Sequence, residues 1–328
     1  MQPNQSQFSL ANFALKNLLS LGGFNKRLSI LIYHRVLAQP DPLSPEVDYA
    51  ESFDQQMSWL TSHFNIIPLH EAVQKLRQNK LAPCTACITF DDGYADNATN
   101  ALPILQKYGI SATFFVSTGF LDGGRMWNDT IIELVRQAPG PALDLRKMDL
   151  GLFEISTIHQ RRQTINMLLN KLKYLPLKSR ELKVEEMCTY SPAKLPNDLM
   201  MTSEQIRLLH DSGMEIGGHT VNHPILARTE GTMAREEIAN GKEVLENIIR
   251  SPVRAFAYPN GRPGQDYLSE HVQMVRDLGF EAAVSTSRGA ARNSSDIYQL
   301  PRIGPWDQEK LRFTLRMAQN MLKNPETI

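Results

Sequence analysis

Residues 86–93 read ACITFDDG, a short apolar run that ends in two aspartates and a glycine. Comparable strand-length runs recur along the chain, separated by helical patterns such as 53–63 and 234–249. Strands that alternate with helices in this way are typical of βαβ units, which build parallel sheets. The sequence therefore predicts an α/β fold with seven parallel strands, one fewer than a complete (β/α) barrel, near residues 28–33, 65–69, 86–90, 112–117, 214–217, 255–258 and 282–285.

The alternation of strands and helices stops between about residues 122 and 199. Within this stretch, residues 158–175 form an amphipathic helical pattern, and turn-forming residues bound both ends. We predict a helical insertion at about 122–199, within a barrel domain that spans 28–305. An N-terminal helical segment, 1–27, and a C-terminal helix, 306–328, are expected to flank the barrel.

The composition is that of an ordinary soluble globular protein, with 42% hydrophobic residues and 35 basic side chains against 35 acidic ones. This balance does not favour a nucleic-acid partner. No apolar run is long enough to be a transmembrane span, and the first residues lack a secretory pattern, so we expect a cytoplasmic location. Apolar residues at helical spacing in 8–24 predict a helix that packs on its own domain or makes a peripheral membrane contact.

Polar side chains follow several of the predicted strands at the point where each strand ends. His34, Asp91, His219 and Asn260 each come just after such a strand, and Asp92 follows Asp91 directly. The carboxyl ends of parallel strands meet at one rim of a barrel, where active sites are built. We therefore expect these side chains to lie together at that rim.

Three of these positions carry the residue types of a metal site. Taken alone, Asp-Asp-Gly is more typical of a surface turn, and two histidines four residues apart are equally compatible with ordinary roles. Together, Asp92, His219 and His223 offer one carboxylate and two imidazoles, which leaves positions open for water and substrate, as in catalytic zinc sites. Non-haem ferrous oxygenases use the same ligands but need a β-sandwich scaffold, whereas this chain has an α/β pattern.

Three segments, TFDDG at 89–93, HTVNH at 219–223 and FAYPNG at 256–261, occur in an order that resembles the polysaccharide deacetylase family, carbohydrate esterase family four. The resemblance implies a distorted seven-stranded (β/α) barrel and a saccharide substrate from which an N-acetyl group is hydrolysed. It also implies that Asp92, His219 and His223 hold a divalent metal, Zn²⁺ or one of Co²⁺, Ni²⁺ and Fe²⁺. Asp91 would be the general base.

The chain departs from the family pattern at two positions. Ala257 stands where many members have an arginine that orients the catalytic aspartate, and Arg302 stands where a late histidine is common. Arg302 either replaces the missing arginine by pairing with Asp91, or forms a surface ion pair or a carbonyl cap. The Tyr-His pair that ends the first strand resembles a branch of the family in which that histidine is the general acid, which assigns this role to His34.

Four residues are candidates for contacts with the substrate or its oxyanion: Asn260, Tyr258, Arg302 and Trp127. The turn at Asn260 is positioned to offer a main-chain N–H to an oxyanion. Trp127 in the insertion is a candidate for stacking on a sugar, although a packed tryptophan is more common. Two other functions remain open, a hydrolase of another amide or of an O-acetyl ester, and a non-catalytic saccharide-binding protein.

Overall fold

The computed structural model describes residues 26–190, 194–304 and 307–328, so the helix or membrane contact predicted at 8–24 lies outside the described residues. The strands are β1 (Leu28–Tyr33), β2 (Val36–Leu37), β3 (Asp48–Tyr49), β4 (Asn65–Ile66), β5 (Thr85–Phe90), β6 (Thr113–Val116), β7 (Ala142–Leu145), β8 (Gly151–Glu154), β9 (Glu215–Gly218), β10 (Ala255–Ala257) and β11 (Ala282–Val284). The α-helices are α1 (Ala50–His63), α2 (Leu69–Arg77), α3 (Leu102–Lys107), α4 (Trp127–Gln137), α5 (Ile158–Leu172), α6 (Leu177–Tyr190), α7 (Ser203–Asp211), α8 (Gly231–Ile249), α9 (Ser269–Asp277) and α10 (Lys310–Leu322). None of these helices is both long and apolar enough to cross a bilayer.

Seven strands form one parallel sheet, which confirms the predicted α/β fold. The strand order is β1-β5-β6-β9-β10-β11, and β4 pairs with the first residues of β5. Every pairing within this sheet is parallel. The sheet curls into a distorted half-barrel, in which β1 and β11 are the two edge strands.

A segment that the sequence did not predict as a strand bridges these two edges. Leu300 pairs with Val284 of β11, and Ile303 pairs with Leu31 of β1, both in parallel. The main-chain N–H of Leu300 donates to Ala283 O at 2.9 Å, and that of Ile303 donates to Ile30 O at 2.9 Å. Residues 300–303 therefore close the barrel where an eighth strand would otherwise stand.

The alternation of side chains along β5 fixes the direction in which the first aspartate points. Ile88 and Phe90 face outward into the layer under the helices, where the Phe90 and Phe114 rings stack with centroids 4.8 Å apart. Cys87 faces the opposite way, into a smaller cluster inside the barrel that includes Phe115. Since successive strand residues face opposite sides, Asp91 follows Cys87 into the barrel interior.

The insertion contains a feature that the sequence analysis missed. Helices α4, α5 and α6 surround a core of their own, but β7 and β8 also form an antiparallel hairpin between α4 and α5. Each hairpin strand has only four residues and no β-branched side chain, so no strand pattern stands out in the sequence. The C-terminal helix α10 packs back on the barrel, where Phe313 meets Trp59 of α1 edge to face.

The chain turns sharply after β5, at a position where only glycine fits. Gly93 has a φ of +91°, and a Cβ added there would lie 2.9 Å from Cγ1 of Val116 in β6. Both the left-handed backbone and the close contact with a neighbouring strand exclude a side chain.

We expect Gly93→Ala to lower the free energy of unfolding by about 2–4 kcal/mol, because the strained φ and the overpacking against Val116 add to each other. Denaturant unfolding measures the loss. Gly109→Ala is the matched control, since Gly109 has a φ of +63° with no atom within 4 Å of an added Cβ, and it should cost only the backbone term. Equal losses for the two variants would refute the contact with Val116.

Candidate active site

The turn after β5 brings two adjacent carboxylates to one place. The Asp91 main-chain N–H donates to Tyr33 O at 3.0 Å, which continues the pairing of β5 with β1 by one residue. Asp92 then has a φ of +77°, so the reversal of the chain begins at the second aspartate. Two side chains that would otherwise face opposite sides of the sheet can therefore serve a single site.

A compact cluster, which we call the metal-type cluster, lies at the carboxyl ends of the strands. It consists of Asp92, His219 and His223. One ligand atom from each residue lies within 4.8 Å of the others, an arrangement that could hold a metal ion. Nε2 of each histidine is 3.4 Å from Oδ1 of Asp92. This oxygen is buried, and no hydrogen-bond partner for it exists among the residues that the structure describes. A buried carboxylate oxygen that two imidazole nitrogens face is suited to a shared cation.

The first histidine of the cluster is held by the neighbouring strand. Nδ1 of His219 is 2.7 Å from Ala257 O, so this nitrogen carries the proton and donates to the carbonyl. In the neutral ring Nε2 then carries the lone pair and faces Asp92, the orientation that metal-binding histidines commonly show. Burial lowers the pKa of His223 to about 4, which keeps the second imidazole neutral and able to bind a cation.

The loop that carries both histidines is fastened by a residue that the sequence analysis did not identify. Oε2 of Glu237 in α8 accepts the main-chain N–H groups of Val221 and Asn222, at 2.9 and 2.8 Å, and Oε1 accepts the Asn222 side-chain amide at 2.7 Å. Thr220 and His223 have positive φ angles, of 68° and 51°. Such a backbone is strained and needs external support, which Glu237 provides. No pattern in the sequence distinguishes this glutamate from the other acidic residues of its helix.

Asp91 is bound by a buried arginine. Nη1 and Nη2 of Arg302 donate to the two carboxylate oxygens of Asp91, at 2.6 and 2.7 Å. Nε of Arg302 donates to Ser285 O at 3.0 Å, and the arginine is only 1% exposed. Burial alone would raise the pKa of Asp91, but the Arg302 charge and its hydrogen bonds hold that pKa below its usual range. Asp91 is therefore kept ionised in the barrel interior.

This geometry decides between the alternatives for Arg302. It pairs with Asp91, so it is neither a surface ion pair nor a carbonyl cap alone. Arg302 is also too deeply buried to contact a substrate, and its guanidinium nitrogens already donate to Asp91 and Ser285. The predicted contact between Arg302 and a substrate was therefore wrong. Arg302 lies on the closing segment 300–303, which explains how an arginine from the end of the barrel reaches Asp91 at the end of β5.

Two cavities meet at Asp92 and Asn128, which line both of them. One, of about 210 Å³, is named the basic cavity after Lys173 and Arg180, and it is also lined by Trp127, His223 and Asn260. The other, of about 350 Å³, is named the acidic cavity. Among its lining residues are His34, Arg35, Asp41, Glu46, Asp48, Tyr94, Asp129, Glu133 and Arg136. A ligand that extends from one cavity past the metal-type cluster into the other would thus contact mainly basic side chains at one end and mainly acidic side chains at the other.

The structure places most of the other predicted residues around these cavities. His34 is exposed and lines the acidic cavity, while Asn260 and the half-buried Trp127 line the basic one. Asn260 has a φ of +59°, and the Gly261 N–H donates to Pro259 O at 2.7 Å. This bond uses one of the two N–H groups of the turn, which leaves that of Asn260 as the candidate for an oxyanion.

Tyr258 does not reach either cavity. It is fully buried, its hydroxyl donates to Tyr298 O at 3.0 Å, and its ring stacks on Tyr267 with centroids 3.9 Å apart. The predicted contact between its side chain and a substrate was wrong. Strand alternation explains the outcome, because Ala257 faces the barrel interior and Tyr258, the next residue, faces the helices.

Further residues at the site carry no local signal in the sequence. Asp96 accepts from Arg35 Nε at 2.8 Å and from the Val36 N–H at 2.9 Å, and Asn97 donates to His34 O at 2.8 Å, so the chain around His34 is fixed from the segment after the aspartates. Asp129 lines the acidic cavity, and burial raises its pKa to about 7. An aspartate in the first turn of a helix is ordinary, so the sequence did not distinguish it.

We expect Arg302→Met to lower the free energy of unfolding by about 3–5 kcal/mol, because it leaves the Asp91 charge buried without a partner. Chemical denaturation checks this value. Adding Asp91→Asn to the variant should recover part of the loss, since it removes the orphaned charge. As a control, Arg254→Met breaks an exposed pair with Glu281 and should cost less than about 1 kcal/mol. A similarly small effect at Arg302 would mean that the buried pair does not stabilise the barrel.

Comparisons with known proteins agree with this geometry. The polysaccharide deacetylase family model matches residues 78–142 and 178–283, together more than half of the chain. A Bacillus subtilis protein named "Putative polysaccharide deacetylase YxkH" is 23% identical over 280 residues, which cover 84% of this chain and 71% of that protein. A Staphylococcus aureus poly-β-1,6-N-acetyl-D-glucosamine N-deacetylase is 38% identical over 68 residues, only 20% of this chain and 23% of the relative.

Among solved structures, the Streptococcus pyogenes deacetylase PplD in complex with acetate aligns with a TM-score of 0.59 and 20% identity, and the alignment covers 90% of this chain and 99% of that chain. At this identity the likeness concerns the fold alone, and it matches the distorted half-barrel described above. The match of the family model to the segments that carry both aspartates and both histidines is the more specific finding. The chain belongs to the polysaccharide deacetylase family.

Proposed function

We propose that the protein is a metal-dependent deacetylase that hydrolyses an N-acetyl group from an amino sugar of a poly- or oligosaccharide and releases acetate. The observation that carries the proposal is the compact cluster of Asp92, His219 and His223, with the ionised Asp91 next to it in the sequence. Membership of the family supports hydrolysis of an acetyl group. The local match to a relative named for poly-N-acetylglucosamine supports an amino sugar as its carrier.

Asp92, His219 and His223 are suited to hold a divalent metal. Oδ1 of Asp92 is an orphaned buried acceptor, and the Nδ1–H bond to Ala257 leaves Nε2 of His219 free to bind. One carboxylate and two imidazoles favour Zn²⁺, and also suit Co²⁺, Ni²⁺ or Fe²⁺. When bound, such a metal lowers the pKa of a coordinated water to about 7 and polarises the substrate carbonyl.

In this proposal Asp91 is the general base that accepts the proton of the attacking water. Both of its oxygens accept a hydrogen bond from Arg302, but each carboxylate oxygen has a second lone pair that can take a proton. The same bonds lower the pKa of Asp91, which fixes the carboxylate in its ionised form and makes it a weaker base. Arg302 acts here as a positioning residue, because it holds Asp91 and does not contact the substrate.

The remaining roles are assigned to residues at the two cavities. The Asn260 N–H is proposed to stabilise the developing oxyanion, and His34 is proposed to protonate the leaving amine. His34 lines the acidic cavity beside Asp92, which makes it accessible to a bound substrate. An O-acetyl ester on the same saccharide is the alternative substrate, and comparing acetate release from matched N-acetyl and O-acetyl sugars separates the two.

Three substitutions in the cluster, Asp92→Ala, His219→Ala and His223→Ala, should lose bound metal and acetate release together. Asp91→Asn should instead keep the metal while turnover falls by about two to four orders of magnitude, the usual loss of a general base. Elemental analysis beside an acetate-release assay tests this division of roles. His159→Ala, which removes an exposed histidine of α5, is the control and should change neither quantity. Metal loss in Asp91→Asn with metal retained in Asp92→Asn would reverse the assignment.

Replacing His34 by glutamine should leave folding and metal content intact and lower kcat for an N-acetyl sugar by about two to four orders of magnitude. An activated aryl acetate needs no proton on its leaving group, so its hydrolysis should fall far less. Steady-state kinetics on both substrates, with metal content measured for each preparation, gives the answer. An equal loss on the two substrates would exclude a general-acid role for His34.

A further inference from the structure

The basic cavity contains a buried cation that the deacetylation chemistry does not use. Arg180 of α6 is only 4% exposed, and it lines this cavity together with Asp92 and His223 of the metal-type cluster. Lys173 contributes a second positive charge to the same wall. The two cations come from the insertion, whereas the cluster comes from the barrel.

The contacts of Arg180 do not include a direct ion pair among the described residues. Nη1 donates to Lys173 O at 3.3 Å, and the guanidinium lies 4.7 Å from the centre of the Trp127 ring. Its Nε is buried without a hydrogen-bond partner, and no carboxylate within residues 26–190, 194–304 and 307–328 forms an ion pair with it. Burial lowers the pKa of Arg180, and the charge of Glu181 only partly offsets this desolvation, since the pKa stays below its usual value.

The other deeply buried arginine, Arg302, shows the ion pair that a buried guanidinium normally forms. Arg302 meets both oxygens of Asp91 in a two-pronged contact. Buried charges in proteins are paired, because an isolated one is costly. Arg180 differs from Arg302 in that it lines the basic cavity, so a ligand there can supply the missing ion pair. It also lines a neighbouring cavity of about 280 Å³ that contains Glu181 and Glu185, neither of which forms an ion pair with it.

We infer that Arg180, assisted by Lys173, binds an anionic group of the saccharide substrate, a phosphate or a carboxylate close to the sugar that carries the N-acetyl group. This inference rests on the proposed function, since it treats the basic cavity as one arm of the substrate site. The planar guanidinium matches the geometry of both anions. The acidic cavity on the other side of Asp92 contains Arg35 and Arg136, but both are already paired with carboxylates, so it offers the same group no comparable cation. The two arms thus differ in the direction that favours an anion in the basic cavity.

A purely structural role is the alternative. The bond to Lys173 O ties α6 to the end of α5, and the stacking on Trp127 ties α6 to α4. Arg161 provides a matched comparison within the insertion, because it donates to the main-chain oxygens of Val135, Arg136 and Ala138 but does not line either cavity. If Arg180 only ties the helices of the insertion together, replacing it should have the same kind of effect as replacing Arg161. If it binds an anion, only its replacement should weaken the binding of an anionic substrate.

The test measures kcat/KM for acetate release on two matched substrate pairs. N-acetylglucosamine 1-phosphate is compared with its methyl glycoside, and a disaccharide of N-acetylglucosamine and glucuronic acid is compared with the glucose counterpart. Wild-type enzyme should prefer the anionic member of at least one pair, and the preferred pair identifies phosphate or carboxylate. Arg180→Gln should lower kcat/KM for that anionic substrate by about ten- to a hundredfold, the range for a hydrogen bond to a charged group, and leave the neutral one nearly unchanged.

Arg161→Gln should reduce stability without changing the preference for the anionic substrate. If Arg180→Gln does not fold, Lys173→Gln serves instead, because the clamp uses the main-chain oxygen of Lys173 and stays intact. It should lower the same preference by a smaller factor. An equal loss on anionic and neutral substrates in the Arg180 or Lys173 variant, or no preference in the wild type, would overturn the inference.

A binding measurement separates this inference from the proposed function. Inorganic phosphate and sodium glucuronate are each compared with chloride at equal ionic strength, and at least one of them should raise the Tm of the wild type and of Arg161→Gln but not that of Arg180→Gln. If no sugar releases acetate but this pattern is seen, the deacetylase proposal fails and the anion site stands. If acetate is released but neither phosphate nor glucuronate stabilises the wild type more than Arg180→Gln, the anion site fails alone.

Discussion

The buried ion pair between Asp91 and Arg302 is the interaction on which the rest of the structure depends. Two charges are desolvated inside the barrel, and each is acceptable only because the other is in place, with both carboxylate oxygens and three guanidinium nitrogens bonded. The pair joins β5 to the segment that closes the barrel. It thereby connects the closure of the fold with the charge state of the proposed base.

Local backbone strain is the second constraint. Asp92, Thr220, His223 and Asn260 all have positive φ angles although none is glycine. Strained residues of this kind gather at functional sites when the surrounding structure holds them in place. Here the supports are identifiable: Glu237 holds the loop of the two histidines, and the stacked core beneath Phe90 holds the strand that leads to Asp92.

Much of the fold could be predicted from the sequence, because the seven strands alternate with helices and each has a local hydrophobic pattern. The residues of the metal-type cluster could be expected at one rim, since parallel strands bring their carboxyl ends together. The closing segment 300–303 could not be predicted as a strand, because it contains a proline and makes only isolated bridges on either side. The role of Glu237 could not be predicted from the sequence either, since it depends on how α8 packs against a distant loop. Tyr258 was assigned wrongly because its motif was considered without the alternation of strand side chains.

The closing segment has a consequence for how the protein is made. Arg302 follows Asp91 by 211 residues, so a ribosome adds the guanidinium on the order of 10–40 seconds after the carboxylate it neutralises. Until then the nascent chain cannot bury Asp91 as an ion, and the edges of β1 and β11 have no strand between them. Unpaired parallel edges are templates for association with other chains. The barrel is therefore expected to close late in synthesis, and the preceding interval is when a chaperone would protect it from aggregation.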